Sequence, residues 1–340
     1  MGLGLRVLHV AGYGVKLGAR GGSLVVEGGG ERRVVPVSEV DLVVIATSGV
    51  SVTSRAMRLM LRSGVELVVL DHRGEPAGLL WPSYISRTPA TRRAQYEAAA
   101  NGLGVRIVGW IARRKIEGQA CHLKSLSARL QSGEARSAAR EIAGLALEAF
   151  ESALKGGESG GLKAAAREAM KVEARAARIY WSTLASLLPG ELGFTGRSRD
   201  SGDPVNSALN YGYGILYAAA WRAVALAGLD PYAGFLHSDR SGAPVLTFDM
   251  VELYRATAVD QPVVDMLLKG WRPRVENGRL DPRDREEIAR IVVARLNRRA
   301  PGARWSLEED MRREALNLAR SLRSGGEWAP RSPCGRGEGV

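Results

Sequence analysis

The feature that most limits the fold of this chain is a change of sequence pattern near residue 85. Before this point, short runs of branched residues are separated by turn residues, and after it come long stretches rich in Ala, Leu and Arg. The first pattern favours β-strands and the second favours helices. The sequence therefore predicts an α+β fold, with a small N-terminal β-sheet domain over residues 1–85 and a larger all-α-helical domain over residues 86–325.

The predicted strands are short and the predicted helices are long. Strands are expected at Arg6–Val10, Ser23–Glu27, Arg32–Val37, Asp41–Ile45, Val65–Leu70 and Ala77–Trp81, with one helix from Thr53 to Arg62. In the second domain, helices are expected at about 90–100, 103–131, 134–154, 162–188, 204–228, 249–258, 283–299 and 307–323. The glycine-rich run Gly156–Gly161 is predicted to join two of them, and residues 326–340 are predicted to form a disordered tail.

The charge of the chain indicates a polyanionic partner. Its 340 residues carry a formal net charge of +12, and Arg greatly outnumbers Lys. Basic side chains that neutralise phosphates release condensed counterions, and the guanidinium fork can pair with phosphate at two points. Nucleic acid is therefore the first partner to consider, with solvated helix faces as the alternative reading of any one basic cluster. No membrane span or signal peptide is visible, so we expect a cytoplasmic protein with no membrane partner.

Three separated segments each offer one side chain that suits a divalent metal. They carry Glu173, His237 and Glu252. An imidazole and two carboxylates form a ligand set for Mg²⁺ or Mn²⁺, and in a basic protein this set points to phosphodiester chemistry. Glu173 lies close to the small-residue stripe of its predicted helix, where the alternative to a ligand role is an ion pair with Arg167 or Arg178.

A polar stripe follows the helix start at Asp203. Asp at the N-cap before Pro at the first helical position is a strong start signal, so we interpret Asp203 as structural. Beyond it, uncharged polar and aromatic residues recur at helical spacing: Asn206, Asn210, Tyr213 and Tyr217. This stripe suits a cleft floor that hydrogen-bonds phosphate or sugar, and the alternative is a solvated helix face.

The segment around His237 has no helical period and is followed by a predicted helix start. Asp249, Glu252 and Arg255 then follow one another at a spacing of three, so we expect them on one helix face. The spacing of Asp249 and Glu252 is also close to that of a capping box. A cap would account for Asp249 without occupying Glu252, and a lone His is more often structural than a ligand.

Five motifs, taken in order, resemble those of a known family. They are Glu173–Tyr180, Asp203–Tyr217, Gly228–Pro231, Gly234–His237 and Phe248–Arg255. With their intervals, these motifs closely resemble the CRISPR-associated spacer integrase, the first-numbered Cas protein, over nearly the whole chain. Val37–Asp41 and Gly49–Thr53 in the N-terminal domain also look like the pattern of this family.

The resemblance implies a metal-dependent DNA endonuclease and integrase of CRISPR adaptation, with its catalytic residues in the helical domain. Members join the 3′-OH ends of captured DNA to the repeat array by transesterification, and Mg²⁺ or Mn²⁺ is the implied cofactor. The family's catalytic metal ligands fall on Glu173, His237 and Glu252, with Asp249 as a secondary position. The implied partners are DNA (double-stranded, branched or with 3′ ends), a second copy of the chain bound through the β domain, and the small second-numbered Cas protein.

Seven residues are candidates for contacts with DNA. Arg178, Arg197, Arg199 and Arg255 are expected to contact phosphates, with local carboxylates as alternative partners, and Asn206, Asn210 and Tyr217 are expected to line the cleft. Two other functions stay open, a non-catalytic basic nucleic-acid scaffold and a mobile-element integrase with the same catalytic set. The net charge and the lack of a Gly-rich nucleotide loop argue against a hydrolase of small phosphate esters.

Overall fold

The N-terminal part of the molecule contains two four-stranded sheets. The computed structural model describes residues 6–71, 76–81, 89–198, 200–239, 241–276, 279–299 and 303–332. The strands are β1 (Val7–Val10), β2 (Val15–Arg20), β3 (Ser23–Gly28), β4 (Glu31–Pro36), β5 (Leu42–Ile45), β6 (Val50–Val52), β7 (Glu66–Leu70) and β8 (Pro76–Leu80). One sheet has the order β1-β5-β7-β8, with β1, β5 and β7 parallel, and the other has the order β4-β3-β2-β6. The predicted β-sheet domain is confirmed, although β2 and β6 were not predicted.

Strand β5 is buried on both faces and thereby joins the two parts of the molecule. Leu42 and Val44 lie in the core shared with the helices, whereas Val43 and Ile45 lie in the core between the two sheets. Successive side chains of a strand point to opposite faces, so a run of four apolar residues serves both cores. Helix α1 (Ser54–Arg62) closes the second core, and its N-cap is Thr53, where the helix was predicted to begin.

Most of the described residues after β8 are helical, as predicted. The helices are α2 (Pro89–Ala99), α3 (Gly102–Leu130), α4 (Gly133–Leu187), α5 (Pro204–Leu226), α6 (Val245–Glu252), α7 (Gln261–Leu268), α8 (Pro282–Asn297) and α9 (Leu307–Ser324). A π-helical segment, Ala256–Asp260, joins α6 to α7. One departure is a small hairpin of β9 (Val275–Glu276) and β10 (Arg279–Leu280). The predicted domain boundary near residue 85 lies outside the described residues.

Helix α4 reverses its direction at Gly160 and Gly161. Gly161 has φ 65° and ψ −156°, a backbone conformation that is essentially restricted to glycine. The two arms of α4 run antiparallel, and Glu148 of the first arm pairs with Arg175 of the second at 2.6 Å. The joint predicted at Gly156–Gly161 is therefore present, although helical geometry continues to its last two residues. The reversal brings the second arm back along α3, where the candidate site lies.

The segment after α9 packs against the helices as far as the structure describes it. Trp328 is only 3% exposed, and Arg331 pairs with Asp310 at 3.2 Å. The predicted disordered tail is therefore wrong for residues 326–332, because a buried indole supplies apolar contact that the Gly, Pro and Arg composition concealed. Residues 333–340 lie outside the described residues. No helix in the described ranges has the length and apolarity needed to cross a bilayer.

Candidate catalytic site

Glu173 and Glu252 come together around the ammonium group of Lys115. The Nζ atom of Lys115, on α3, lies 2.6 Å from Oε1 of Glu173, on the second arm of α4, and 2.9 Å from Oε2 of Glu252, at the end of α6. The side chains are largely buried, with exposed fractions of 13% for Lys115, 16% for Glu173 and 4% for Glu252. Two of the predicted ligands therefore share one cation in this structure.

Glu252 is held in its ionised form by two cations. Arg255 donates from Nη1 to Oε1 of Glu252 at 2.7 Å. Burial alone would raise the pKa of Glu252, but the charges of Arg255 and Lys115 outweigh burial and lower the pKa to about 2. Burial lowers the pKa of Lys115, yet the two carboxylates raise it above its ordinary value. Oε2 of Glu252 is buried, and its partner is the ammonium of Lys115 at 2.9 Å.

Asp249 fixes the third predicted ligand, His237. Oδ1 of Asp249 lies 2.7 Å from Nδ1 of His237 and also accepts its backbone N–H, while Oδ2 accepts the backbone N–H groups of Phe235 and Leu236. Burial lowers the pKa of His237, but the hydrogen bond and the charge of Asp249 outweigh burial, so the pKa lies above its usual value. With Nδ1 facing Asp249, Nε2 is the nitrogen left for a metal.

The structure uses Asp249 neither as a helix cap nor as a free ligand. Helix α6 begins at Val245 after Pro244, earlier than the predicted start, and has no side-chain cap. Asp249 is therefore inside the helix, and its carboxylate is occupied by the loop that carries His237. The capping box considered as the alternative for Asp249 and Glu252 is not formed, because α6 begins four residues before Asp249.

Within the described ranges, no three His, Cys, Asp or Glu side chains are gathered closely enough to hold a metal as they stand. The ammonium of Lys115 lies between the two carboxylates of Glu173 and Glu252. The donor set nevertheless suits Mg²⁺ or Mn²⁺, since it has two carboxylates and an imidazole. The buried Oε2 of Glu252 and the cation already between the carboxylates both fit a cation site.

A buried network lies behind the carboxylates. Asp260, at the end of the π-helical segment, accepts hydrogen bonds from the hydroxyls of Tyr213 and of Tyr180, the latter at 2.9 Å. Tyr180 in turn lies 2.6 Å from Nδ1 of His122. The guanidinium of Arg255 stacks over the ring of Tyr213, 4.1 Å from its centroid. This network fixes Arg255, which in turn contacts Glu252.

Asn206 and Asn210 hold Arg197 and do not line an open surface. Arg197 donates from Nη1 to Oδ1 of Asn206 at 2.8 Å and from Nη2 to Oδ1 of Asn210 at 2.5 Å. Both amides are buried, with exposed fractions of 1% and 8%. Three members of the predicted polar stripe, Asn206, Asn210 and Tyr213, thus contact one guanidinium. Asp203 caps α5 as predicted, because its Oδ1 accepts the backbone N–H of Asn206 at 2.8 Å.

The other predicted DNA contacts have different environments. Arg178 is exposed on α4 and has no ion pair within the described part of the chain, whereas Tyr217 is 6% exposed and packs on Phe248 and Trp221. Arg199 lies outside the described residues. The alternative partners proposed for Glu173 are wrong, since Arg167 pairs with Glu168 and Glu173 pairs with Lys115.

A cavity of about 180 Å³ adjoins the carboxylates. Its walls are formed by Lys115, Gln119, Glu173, Ala177, Trp181, Arg197, Arg255, Ala256 and Asp260. The sequence reasoning missed Lys115 and Gln119. The signal that could have found them is their position, since these two polar residues are one helical turn apart on the face of α3 that also carries buried Ile111 and Ala112.

The sequence of this chain is similar to those of one known family. The family model described as CRISPR associated protein Cas1 matches residues 8–289. The CRISPR-associated endonuclease Cas1 2 of Pyrobaculum aerophilum is 39% identical over 315 residues, which is 92% of this chain and 98% of the relative.

Two solved structures share the fold. A casposase bound to integration product superposes with a TM-score of 0.79 at 21% identity, covering 96% of this chain and 94% of that one. A Cas6-RT-Cas1–Cas2 complex has a TM-score of 0.77 at 17% identity, covering 97% of this chain and 36% of that one.

Proposed function

This chain belongs to the CRISPR associated protein Cas1 family, and on that premise we propose that it is a divalent-metal-dependent DNA endonuclease and integrase of CRISPR adaptation. The reaction that we propose is attack of the 3′-OH of a captured fragment on a phosphodiester of the repeat array. Water in place of that hydroxyl gives DNA cleavage at the same site. The observation that carries the proposal is the convergence of Glu173 and Glu252 on one cation position.

Three side chains would hold the metal: Glu173, Glu252 and His237 through Nε2. The bound Mg²⁺ or Mn²⁺ would polarise a phosphate oxygen and stabilise charge on the attacking or leaving oxygen. Asp249 supports this assignment as a positioning residue, because it keeps the imidazole in one tautomer and orientation. The low pKa of Glu252 supports it too, since a ligand carboxylate has to be ionised.

Two guanidinium groups are placed to hold the phosphodiester. Arg197 and Arg255 both line the cavity beside the carboxylates, and both lie over the ring of Tyr213, at 5.4 and 4.1 Å. Fixed guanidiniums stabilise charge that develops on transferring phosphoryl groups without reorganisation during the reaction. Exposed Arg178, on the same arm of α4 as Glu173, is positioned to contact the DNA backbone further out.

Membership of the Cas1 family is also the basis for the binding partners that we propose. The casposase is bound to integration product, and the Cas6-RT-Cas1–Cas2 complex contains Cas2. For this chain we propose DNA with free 3′ ends as substrate, a homodimer formed through the sheets, and assembly on the second-numbered Cas protein. The net charge of +12 supports a DNA partner.

The test is a metal titration of DNA joining on a supercoiled repeat plasmid. We expect joining to require Mg²⁺ or Mn²⁺ and to be lost in Glu252→Ala, with salt-sensitive DNA binding retained because affinity comes mainly from distributed positive charge. The matched control is Glu151→Ala, which removes an exposed carboxylate from α4.

Three outcomes distinguish the proposed function from its alternatives. Full joining activity in Glu252→Ala rejects the metal-site assignment. DNA binding by the wild type without any metal-stimulated nicking or joining favours a non-catalytic scaffold. Joining that is indifferent to the repeat sequence favours a mobile-element integrase.

A further inference from the structure

The site contains a cation that the metal-dependent reaction does not itself require. We propose that Lys115 is a resident counter-ion, whose ammonium holds Glu173 and Glu252 together in the metal-free protein and leaves that position when a divalent ion binds. This inference rests on the proposed function, because it takes these two carboxylates as metal ligands.

Two ionised, buried carboxylates are stabilised by a cation between them. Glu173 and Glu252 are only 16% and 4% exposed, so solvent screens their mutual repulsion poorly. Arg255 neutralises one edge of Glu252 through Oε1 but makes no ion pair with Glu173 in the described structure. Lys115 alone bridges both carboxylates, through Oε1 of Glu173 and Oε2 of Glu252.

The ammonium and a divalent ion exclude each other. Mg²⁺ binds carboxylate oxygens at about 2.0–2.1 Å, so an ion shared by these two carboxylates has to lie in the gap between them. The Nζ atom of Lys115 is already in that gap, 2.6 and 2.9 Å from the same oxygens. Two cations at such a separation repel strongly, and metal binding is therefore an exchange of one cation for another.

The cavity beside Lys115 can accommodate the displaced ammonium. The cavity of about 180 Å³ beside the carboxylates is lined by Lys115 itself and by Gln119, one helical turn further along α3. Oε1 of Gln119 is buried and accepts no hydrogen bond in the described structure. An ammonium on a flexible four-carbon stem can reach such an acceptor, which removes the cost of leaving either group unpaired. We therefore assign Gln119 as the acceptor of the displaced Lys115.

The experiment measures Mn²⁺ affinity of the full-length protein by calorimetry, together with its melting temperature in EDTA and in Mn²⁺. Lys115→Met removes the competing charge while keeping a similar stem. We expect Mn²⁺ to bind roughly tenfold more tightly than to the wild type, which is a coupling of ordinary size. We also expect a lower melting temperature in EDTA and a larger rise on addition of Mn²⁺. Lys124→Met is the control, because it removes an exposed lysine from the same helix.

A second variant keeps the test decisive if Lys115→Met does not fold. Gln119→Leu retains the counter-ion but removes the acceptor, so Mn²⁺ should bind several-fold more weakly than to the wild type. Unchanged or weaker Mn²⁺ binding in folded Lys115→Met overturns the inference. If only Gln119→Leu folds, unchanged affinity in that variant overturns it.

The metal site and the counter-ion exchange can be rejected independently of each other. If the wild type binds no Mn²⁺, or if it binds Mn²⁺ and Glu252→Gln leaves the calorimetric signal unchanged, the proposed metal site is wrong. If the wild type binds Mn²⁺ and Glu252→Gln abolishes binding, the metal site stands. Failure of Lys115→Met to bind more tightly then rejects the counter-ion exchange alone.

Discussion

Asp249 lies 2.7 Å from the imidazole Nδ1 of His237, and it also accepts the backbone N–H of the same residue. The side chain of Asp249 is only 1% exposed, so its charge is satisfied almost entirely by this loop. One carboxylate therefore sets both the path of the backbone and the direction of the ring. The loop before α6 has no regular structure of its own, and this acceptor gives it a defined conformation.

The first prediction concerns this pairing. Asp249→Asn should weaken Mn²⁺ binding by about 10–100-fold, because a neutral amide holds the imidazole less firmly and in either tautomer. Isothermal titration calorimetry measures the change. Asp239→Asn, which alters an exposed residue in the same loop, should bind as the wild type does. Equal affinity in Asp249→Asn would mean that the orientation of His237 does not depend on this contact.

The second prediction concerns the reversal of α4. Gly161→Ala should lower the free energy of unfolding by about 1–3 kcal/mol, because the conformation of Gly161 at φ 65° and ψ −156° is strained for any residue with a Cβ. Denaturant unfolding measures this change. Gly144→Ala is the matched control, since Gly144 is exposed inside the first arm with open space around its Cα. It should stabilise by roughly 0.5–1 kcal/mol.

The third prediction concerns the pH dependence of stability. Burial, and to a lesser extent the charge of Arg129, lowers the pKa of His122 to about 3, so the folded protein holds this ring neutral. The unfolded chain takes up the proton below pH 6.5, and stability should therefore fall as the pH decreases from 6.5 towards 3. One such group contributes at most about 1.4 kcal/mol per pH unit.

His122→Gln isolates this contribution. Between pH 6.5 and 5, most carboxylates remain ionised, so the difference in slope between wild type and variant belongs to His122. Unfolding free energies at four or five pH values across this window provide the comparison. Parallel curves for the two proteins would show that the ring of His122 is not held neutral by the fold.

The fourth prediction concerns the support of Arg197. Arg197→Ala and Asn210→Ala should each slow DNA joining, because Asn210 fixes the guanidinium that we place on the phosphodiester. Their effects should not add, and the double variant should differ from the sum by about 0.5–3 kcal/mol. The joining rates of the wild type, the two single variants and the double variant give the coupling free energy between the two residues. Additive effects of the two substitutions would mean that Arg197 and Asn210 act independently in DNA joining.

Much of the fold follows from local sequence patterns. Runs of apolar residues located β1, β3, β4, β5, β7 and β8, while β2 (Val15–Arg20) was missed because its apolar residues alternate with Lys16, Gly18 and Arg20 and form no continuous run. Strand β6 has only three residues and is defined by its parallel pairing with β2, which is not a local property. Helix α7 (Gln261–Leu268) was missed because the π-helical segment before it breaks the helical period.

The candidate site was only partly predictable. Glu173 and Glu252 were found because each stands in a motif, and the structure brings them to one cation. Lys115 has no motif around it, and its role depends on the reversal of α4, which no local pattern describes. The asparagine stripe was recognised as unusual, but the half-buried partner that explains it, Arg197, comes from a loop whose position depends on tertiary packing.

The path of the chain through this cluster also matters during synthesis. Lys115, Glu173 and Glu252 belong to three separate helices, and the last of them ends at residue 252 of 340. A nascent chain that has not passed this residue has one carboxylate, its lysine partner and no complete site. Products that stop before Glu252 therefore lack one of the two carboxylates proposed to bind the metal.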